Sequence, residues 1–295
     1  MSEMTYAYSE IFDSIQGEGH YTGRPTAWLR FFLCNLQCNG FGQDDPTDPS
    51  TYKLPYKDFD LIEVNRMEEL PVWEYGCDSS YSWSKKFKHL QHKGTAEQIA
   101  NRVRKEFTNK WNKGAWGDRH MCFTGGEPLM KHAQICSMNM MKYWIEERDY
   151  PRYVTYETNG TQTLRPEFIE FWQEYRDVWG SELFISCSPK LHNVSGETTK
   201  RAIRPEVVAT YAQMTNKGQL KFVVDGKPET WEELEDTIEK FRYHGVDWPI
   251  WIMPVGATVE GQKLVDGDVA AEAFKRGYSV AARVHTYLWG NLIGV

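Results

Sequence analysis

The strongest constraint on the fold is a series of short apolar runs separated by segments with helical periodicity. Runs of this length and character predict buried strands. Strands that alternate with helices along a chain predict a mainly parallel α/β sheet or barrel. The runs occupy residues 26–33, 120–124, 153–157, 183–187, 220–224, 249–253 and 279–283.

Two of the intervening helices begin with sequences typical of a capping box. Thr95 is followed by Gln98, which predicts a helix that runs to about Phe107. Thr230 is followed by Glu233, which predicts a second helix that ends near His244. In such a box the first side chain and the one three residues later satisfy each other's backbone N–H groups.

Chemically interesting residues follow five successive apolar runs. Cys34 follows the first run, and residues 125–128, 159–161, 188–190 and 225–226 follow the next four. Barrel-type α/β enzymes build their active sites at the carboxyl ends of the strands. The pattern therefore predicts one site at that end of the sheet.

Charge and hydropathy exclude several classes of protein. The net charge of −7 and the pI near 5.7 argue against a nucleic-acid-binding protein, which would carry a basic face. Apolar runs all fall well short of the ~20 residues of a membrane span. The first residues lack the basic and apolar regions of a signal peptide, so we expect a cytoplasmic protein. In that reducing compartment the six cysteines are expected to be metal ligands or core residues.

The loop after the first run contains two cysteines four residues apart, Cys34 and Cys38. Thiolates are soft anionic ligands that hold iron–sulfur clusters, and a cluster needs a third ligand nearby. Three residues after Cys38 the chain has Phe41 instead. The segment Asn39–Gly76 is polar, rich in Asp and Pro and without a clear period, which is typical of an inserted loop.

The Cys34-x3-Cys38 spacing, followed by Thr124-Gly-Gly-Glu-Pro128 after the next run, resembles the radical S-adenosylmethionine enzymes. Further motifs resemble one family among them, the 7-carboxy-7-deazaguanine synthases. These motifs span almost the whole chain in order and lie at residues 11–19, 23–25, 30, 157–161, 188–190, 220–225 and 285–290. The resemblance implies a modified, partly open (β/α) barrel that forms one catalytic domain over residues 1–295.

The resemblance also indicates where the third cysteine is. The family commonly continues Cys-x3-Cys-x2-Cys with Asp-Thr and an aromatic pair, and a similar tail follows Cys77. We therefore expect Cys34, Cys38 and Cys77 to hold a 4Fe–4S cluster, with residues 39–76 as an insertion. The longer loop costs about 2.5 kcal/mol at ~0.6 per doubling of length, whereas thiolate–metal binding can contribute roughly 10 kcal/mol. Cys122 is the rival third ligand, and its alternative role is that of a small core residue.

The insertion also contains apolar residues at 61–64 and 70–73. These favour an ordered excursion that covers the cluster side of the barrel. The alternative is a passive surface insertion.

In the radical enzymes that the chain resembles, three cysteines leave one iron open for S-adenosylmethionine, which is cleaved to a 5′-deoxyadenosyl radical. The resemblance implies that Ser79 binds Mg²⁺ together with substrate oxygens. Glycines at 125 and 126 would let backbone groups approach the cofactor. The implied cofactor contacts are Gly76, Asp78, Gly126, Glu127, Ser188, Pro189 and Lys190.

The substrate residues are implied by the same resemblance. Arg30 interrupts an apolar strand, so it either grips a substrate carboxylate or forms an internal salt bridge. Glu157 either accepts hydrogen bonds from an aminopyrimidine edge or is paired in the core, and both residues are candidates for a catalytic role. The implied substrate contacts are Ile15, Gln16, Gly17, Glu18, Arg30, Thr124, Glu157, His285 and Val295.

The reaction implied is the radical ring contraction of 6-carboxy-5,6,7,8-tetrahydropterin to 7-carboxy-7-deazaguanine with loss of ammonia. The implied partners are a reducing, flavodoxin-like electron donor and a second copy of the chain, with neither nucleic acid nor membrane. One alternative is a glycyl-radical activase, against which Gln16, Glu18 and Arg30 argue. The other is a degenerate, non-catalytic protein that holds zinc or a cluster structurally.

Overall fold

The computed structural model describes residues 4–290 and 292–294. In this part of the chain one mixed sheet contains nine strands in the order β3-β1-β2-β4-β5-β6-β7-β8-β9. β1 runs antiparallel to both of its neighbours, and the pairs from β2 through β4 to β9 are parallel. The strands are β1 (Tyr6–Ile15), β2 (Pro25–Phe31), β3 (His92–Gly94), β4 (His120–Gly125), β5 (Tyr153–Thr158), β6 (Glu182–Cys187), β7 (Gly218–Val224), β8 (Ile250–Pro254) and β9 (Ser279–Val280). Since β3 and β9 are its edges, the sheet is open, and the predicted partly open α/β barrel is confirmed.

Longer helices connect the parallel strands and pack on the outside of the sheet. The helices are α1 (Pro55–Asp58), α2 (Ala96–Phe107), α3 (Lys131–Glu146), α4 (Pro166–Asp177), α5 (His192–Ser195), α6 (Thr199–Ala202), α7 (Pro205–Met214), α8 (Pro228–Tyr243), α9 (Val259–Lys263), α10 (Asp266–Lys275) and α11 (Val284–Trp289). Among the described residues, no helix combines the length and the apolar character needed to span a membrane.

The apolar runs predict the buried parallel strands well but miss two others. β4 to β7 begin and end within two residues of the predicted runs. The run at 279–283 forms only the short β9. β1 and β3 were not predicted, because β1 alternates buried and partly exposed residues and carries several polar side chains.

One of the two predicted helix starts is confirmed and the other is wrong. Thr95 Oγ1 accepts a hydrogen bond from the Gln98 N–H at 3.2 Å, and Gln98 Oε1 accepts one from the Thr95 N–H at 3.0 Å. In contrast, α8 begins at Pro228, whose fixed φ suits the first helical position, and Thr230 is buried inside the helix. The Glu233 carboxylate instead accepts the backbone N–H groups that begin α5.

The main hydrophobic core lies between the sheet and its helices. Its largest fully buried side chains include Trp116, Trp144 and Trp172 from the helical layer and Phe123 and Phe222 from the strands. This core holds the parallel strands in register and therefore fixes where their carboxyl ends lie.

Aromatic rings close the amino ends of β4 to β6. His120 stacks on Tyr153 with centroids 4.8 Å apart. Tyr21 packs edge-on against His120 at 4.7 Å and against Phe184 at 4.9 Å. His20 stacks on Phe184 at 5.5 Å. We refer to these five rings as the aromatic floor.

The insertion at 39–76 has a small core of its own. It consists of short helical turns at Pro49–Thr51, α1 and Met67–Glu69, joined by irregular segments. Its buried residues are packed with three buried residues from the segment that follows Cys77. The cluster consists of Tyr56, Met67, Leu70, Trp73, Tyr81, Phe87 and Leu90.

The two ends of the insertion lie side by side and form a stem. The Gly76 N–H donates to the Phe41 carbonyl at 2.7 Å. Gly42 lies so near the Glu74 carbonyl that a Cβ atom would approach its oxygen to 2.5 Å. The Gly40 N–H donates to Ser195 at 2.9 Å, which anchors the stem to the barrel.

Candidate active site

A cavity of about 310 Å³ opens at the carboxyl ends of the parallel strands. Its lining includes most residues that the sequence indicated for the site. These are Ile15, Gln16, Gly17, Glu18, Arg30, Cys34, Cys38, Gly76, Cys77, Asp78, Ser79, Thr124, Gly126, Glu157, Ser188, Lys190 and His285. Glu127 and Pro189 are not part of the lining. Val295 lies outside the described residues.

The structure brings Cys34, Cys38 and Cys77 together at this cavity, where they pack around the buried side chains of Leu36 and Ala202. The other cysteines lie in apolar surroundings. Cys122 is fully buried and packs with Phe12 and Trp28, and Cys136 and Cys187 are fully buried in the main core.

The loop that carries the first two thiols is held in a strained conformation. Leu33 and Cys38 have φ angles of 90° and 52°, which L-residues rarely adopt unless their surroundings impose it. The buried Glu197 carboxylate accepts the N–H groups of Gln37 at 2.6 Å and Cys38 at 2.9 Å. Burial raises the pKa of Cys34 to about 12, so metal binding there would displace a proton.

Three thiols at the rim of one cavity are donors of the type that iron–sulfur clusters use. Within residues 4–290 and 292–294, no three His, Cys, Asp or Glu side chains are grouped as ligands of one metal ion.

The glycines after β4 allow two loops to approach closely. Gly125 has a φ of 141°, and a Cβ atom there would lie 2.4 Å from the Phe31 carbonyl oxygen. At Gly126 a Cβ atom would lie 2.2 Å from the Leu33 carbonyl oxygen. The Glu127 N–H donates to that same carbonyl at 2.9 Å. Only glycine therefore lets the backbone after β4 lie against the Cys34 loop.

The Glu127 side chain ties this loop to the end of β5. Its buried carboxylate accepts the Leu129 N–H at 2.9 Å, the Thr158 hydroxyl at 2.7 Å and the Asn159 N–H at 2.8 Å. Burial raises the pKa of this carboxyl group, against the effect of these donors. The Glu127 side chain therefore holds the two loops together, and its contact with a cofactor stays a prediction.

Arg30 on β2 forms an ion pair with the buried Glu10 on β1. The Tyr81 hydroxyl donates to the same Glu10 oxygen at 2.9 Å, and the Arg30 guanidinium lies 5.8 Å from the Tyr81 ring centroid. The internal salt bridge that the sequence left open is therefore present. It uses Nε of Arg30, and the two terminal nitrogens donate to no acceptor among the described residues. Arg30 can thus hold Glu10 and still present a fork to the cavity.

A chain of buried and partly buried charges crosses the cavity, and we call it the charge ladder. The Lys221 ammonium contacts both Glu18 and Glu157, the latter at 3.1 Å. Arg283 contacts Glu18 at 3.1 Å and Asp78 at 2.7 Å. The order of the ladder is therefore Asp78, Arg283, Glu18, Lys221, Glu157.

Neutral donors complete the Glu157 end of the ladder. The Gln16 amide donates to Glu157 Oε1 at 3.1 Å, and the Ser186 hydroxyl donates to Oε2 at 3.0 Å. At Glu18, burial opposes ionisation, but Lys221 and Arg283 outweigh it and hold the pKa of this carboxyl well below its ordinary value. Both acids therefore face the cavity with their hydrogen-bonding geometry fixed.

His285 lies against the loop that carries these acids. A Cβ atom at Gly17 would lie 2.0 Å from His285 Nδ1, and the Val284 N–H donates to the Gly17 carbonyl at 2.9 Å. Burial lowers the pKa of His285, partly offset by the nearby Glu18 carboxylate. Its imidazole is therefore held neutral at the edge of the ladder.

Comparison with known proteins shows which enzymes the chain is similar to. No family model matches the chain. It is 24% identical over 296 residues to a 7-carboxy-7-deazaguanine synthase of Rhodopirellula baltica, covering 99% of this chain and 90% of that protein. It is 22% identical over 304 residues to the synthase of Leptospira interrogans, covering 100% of both. Another synthase, from Pyrobaculum aerophilum, is 23% identical and covers 97% of this chain and 95% of its own length.

Over nearly its full length, the chain is similar to the 7-carboxy-7-deazaguanine synthases.

A solved structure agrees on the fold. The crystal structure of QueE from Escherichia coli covers 96% of both chains with a TM-score of 0.51 at 17% identity. The similarity to the synthases confirms the resemblance indicated by the motifs and supports that the protein is an enzyme. The alternatives of a glycyl-radical activase and of a non-catalytic protein are not favoured.

Among the cavity residues missed from the sequence, four take part in its ion pairs and hydrogen bonds: Glu10, Tyr81, Lys221 and Arg283. Lys221 could have been identified from the sequence, because it interrupts the apolar run 220–224 as Arg30 interrupts its own run. A charged residue in such a place needs a partner. Glu10 lies in the strand that was not predicted. Arg283 ends the apolar run 279–283 and carried a similar signal, whereas Tyr81 had none that pointed to an ion-pair partner.

Proposed function

We propose that the chain catalyses the radical ring contraction of 6-carboxy-5,6,7,8-tetrahydropterin to 7-carboxy-7-deazaguanine with loss of ammonia. The observation that carries the proposal is that three thiols, a glycine-lined loop and the charge ladder meet in one cavity. The similarity to synthases over the full length of the chain supports the same reaction.

Cys34, Cys38 and Cys77 would hold the 4Fe–4S cluster, and S-adenosylmethionine would lie beside it. When bound, these cofactors supply the one-electron chemistry that generates a hydrogen-abstracting radical. Gly126 borders the Cys34 loop and would offer backbone groups to the cofactor. From the opposite side, Lys190 donates to the Ser188 hydroxyl at 2.8 Å, and both residues would contact the same cofactor.

The substrate would lie across the charge ladder. Its flat ring presents N–H donors, for which Glu18 and Glu157 are fixed acceptors. Its carboxylate would meet the terminal nitrogens of Arg30, since a guanidinium binds carboxylate in a fork geometry. Thr124 and His285 border the same space, and the residues at 15–17 form the wall beside the ring.

Ser79 would contribute a hydroxyl to Mg²⁺. Its Oγ lies 3.4 Å from Cys77 Sγ at the edge of the cavity. A hydroxyl alone is a weak ligand, so substrate oxygens and water would complete the octahedral shell. Turnover should then depend on Mg²⁺, and Ser79→Ala should raise the Mg²⁺ concentration needed for half-maximal rate. An unchanged requirement would remove Ser79 from the site.

The expected partners are a second copy of the chain and a reducing, flavodoxin-like electron donor in the cytoplasm. Exposed apolar side chains at Leu264, Tyr287, Leu288 and Leu292 support the dimer, because such residues are usual at protein interfaces. Sedimentation velocity distinguishes a dimer from a monomer.

The insertion would cover the cluster side of the barrel. Phe41, Pro71, Val72 and Glu74 of the insertion line the cavity, and so does Ile293 near the end of the chain. Ile293 also packs against the small core of the insertion. These contacts favour an ordered cover over a passive surface loop.

The decisive experiment is anaerobic incubation of the reconstituted protein with the carboxylated pterin, S-adenosylmethionine and dithionite, with mass detection of the product. We expect 7-carboxy-7-deazaguanine and ammonia from the wild type and from the matched control Cys136→Ala. We expect neither from Cys38→Ala. Cleavage of S-adenosylmethionine without the deazaguanine would indicate a different radical enzyme. Absence of both iron and cleavage in the wild type would indicate a non-catalytic protein.

A further inference from the structure

Lys221 is a buried cation in the middle of an apolar strand. It lies on β7 between Leu220 and Phe222, which are fully buried, and it is itself only 3% exposed. Removing an ammonium from water is unfavourable unless it is paired and hydrogen-bonded. Here the ammonium reaches the cavity and contacts one oxygen each of Glu18 and Glu157.

We propose that Lys221 is a positioning residue that holds Glu18 and Glu157 side by side as two acceptors for the N–H edge of a substrate ring. The proposal rests on the proposed function and deepens it, because it states what this part of the cavity recognises. The ligand chemistry is a planar ring with adjacent N–H groups, as in an amidine or guanidine edge.

The two acids come from elements that are distant in the chain and that Gln16 and Lys221 link here, since the Gln16 amide donates to Glu157 at 3.1 Å and its oxygen accepts the Glu18 N–H at 3.1 Å. Glu18 lies in the loop between β1 and β2, and Glu157 lies near the end of β5. Without a shared cation, two carboxylates in one cavity repel, and one takes up a proton and becomes a donor. A ligand edge made only of N–H groups needs two acceptors. Because Lys221 keeps both carboxylates ionised, it determines that such an edge can bind.

The other groups that face Lys221 do not replace it. Arg283 contacts Glu18 but makes its second ion pair with Asp78. Gln16 and Ser186 donate to Glu157 without charge. Burial lowers the pKa of His285 and raises the pKa of the Cys122 thiol, so both neighbours are neutral. Within the described part of the chain, Lys221 is the one cation that contacts both carboxylates.

Glu18 and Glu157 can still accept hydrogen bonds from a ligand when both are paired with Lys221. Lys221 takes Oε2 of each acid, whereas Arg283 takes Oε1 of Glu18 and Gln16 takes Oε1 of Glu157. Each carboxylate oxygen has two lone pairs, so each acid can accept a further hydrogen bond. Both acids line the cavity, which is where these acceptors are available.

The first test compares Lys221→Gln, Lys221→Arg and the control Lys217→Gln. Lys217 lies just before the same strand, is largely exposed and pairs with Glu182 at the other end of the sheet. We expect Lys221→Gln to lower kcat/KM for the pterin roughly a hundredfold, mainly through KM. Uncoupled cleavage of S-adenosylmethionine should persist, Lys221→Arg should restore part of the loss, and the control should match the wild type. A wild-type KM in Lys221→Gln overturns the proposal.

The second test needs no turnover, so it separates this proposal from the proposed function. The full chain is labelled with ¹³C at the Glu carboxyl carbons, and the Glu18 resonance is identified by its loss in Glu18→Gln. In the wild type and in Lys217→Gln we expect no titration of Glu18 down to about pH 4, near the ordinary carboxyl pKa. In Lys221→Gln we expect titration at higher pH. If the resonance behaves alike in all three proteins, Lys221 does not govern Glu18 and the proposal fails.

If the wild type makes no deazaguanine but Lys221→Gln still shows the expected shift in the Glu18 titration, the proposed substrate is excluded and the acceptor pair stands. Should Lys221→Gln fail to fold, Lys221→Arg carries the test. A displaced cation still predicts a raised KM with unchanged uncoupled cleavage, and a wild-type KM in that variant contradicts the proposal.

Discussion

The two ends of the same strands are built from different chemistry. At the amino ends of β4 to β6, the aromatic floor closes the sheet by ring stacking. At the carboxyl ends, glycines, thiols and the charge ladder surround an open cavity. The difference shows that stability and chemistry are separated along the strands, as is common in α/β barrels.

Two histidines illustrate this difference. Burial lowers the pKa of both His120 and His285. His120 lies among rings, and the charge of Arg24 depresses its pKa further. His285 lies beside Glu18, which partly offsets the effect of burial. The same residue type therefore supports packing at one end and lines a charged cavity at the other.

The largest effect is expected from removing a thiol at the carboxyl end. Cys77→Ala should lose the cluster after anaerobic reconstitution, because two thiolates do not hold a cube that needs three. The matched control is Cys122→Ala, since Cys122 is fully buried away from the cavity lining. Iron and sulfide are counted in both. A full cluster in Cys77→Ala with loss in Cys122→Ala would show that the third ligand has been assigned to the wrong residue.

Arg30→Ala should lower pterin turnover about a hundredfold or more while uncoupled cleavage of S-adenosylmethionine persists, because the substrate carboxylate loses its partner. The same change leaves Glu10 buried without its cation, so the free energy of unfolding should fall by about 3 kcal/mol.

The double variant Arg30→Ala with Glu10→Gln separates these two effects, because it removes the unpaired charge. Thermal unfolding should recover in the double variant, whereas turnover should not. Recovery of both would make Arg30 a structural residue alone.

Replacing residues 39–76 by a two-residue linker should shorten the lifetime of the cluster in air severalfold, as expected when solvent reaches a previously covered site. It should also expose Phe87 and Leu90, which pack against the insertion. The control is Ile62→Ser, since the Ile62 side chain is 87% exposed. Equal cluster lifetime and turnover in the parent and the shortened protein would exclude a shielding role.

The smallest effect is expected at the aromatic floor. Burial lowers the pKa of His120 to about 4, so the unfolded chain binds the proton more readily than the folded one. The stability that His120 contributes is therefore present above about pH 6.5 and is lost as the pH falls towards about 4. His120→Gln should flatten the pH dependence of unfolding by about 1 kcal/mol or less, with unchanged turnover at pH 7.5. The free energy of unfolding is measured by chemical denaturation at several pH values between 4 and 7. If it changes with pH equally in His120→Gln and in the wild type, this assignment is contradicted.

The sequence predicts the carboxyl ends of the parallel strands better than it predicts the rest of the molecule. Buried parallel strands are uninterrupted apolar runs, so their ends and the polar residues after them are visible. β1 alternates because one of its faces is less buried, and the small core of the insertion has no period at all. Thr230 and Glu233 match the pattern of a helix cap, but α8 begins two residues earlier, at Pro228. The Glu233 side chain accepts a backbone N–H group of α5 instead.

The charge ladder could not be assembled from local sequence. Lys221 and Glu18 are 203 residues apart, and Arg283 and Asp78 are 205 apart. No local pattern links such pairs, because only the closed fold brings them within reach. A charged residue inside an apolar run indicates that an ion-pair partner exists, but the local sequence does not identify that partner.

The stem of the insertion has a consequence for how such enzymes can diversify. Because the hydrogen bond between Gly76 and Phe41 fixes the two ends beside each other, the distance between Cys38 and Cys77 does not depend on what lies beyond the stem. The stem is therefore a graft point, at which a segment of any length can be exchanged without moving the thiols. A protein of this kind can gain a new surface by a single insertion at the stem and keep the arrangement of its three thiols.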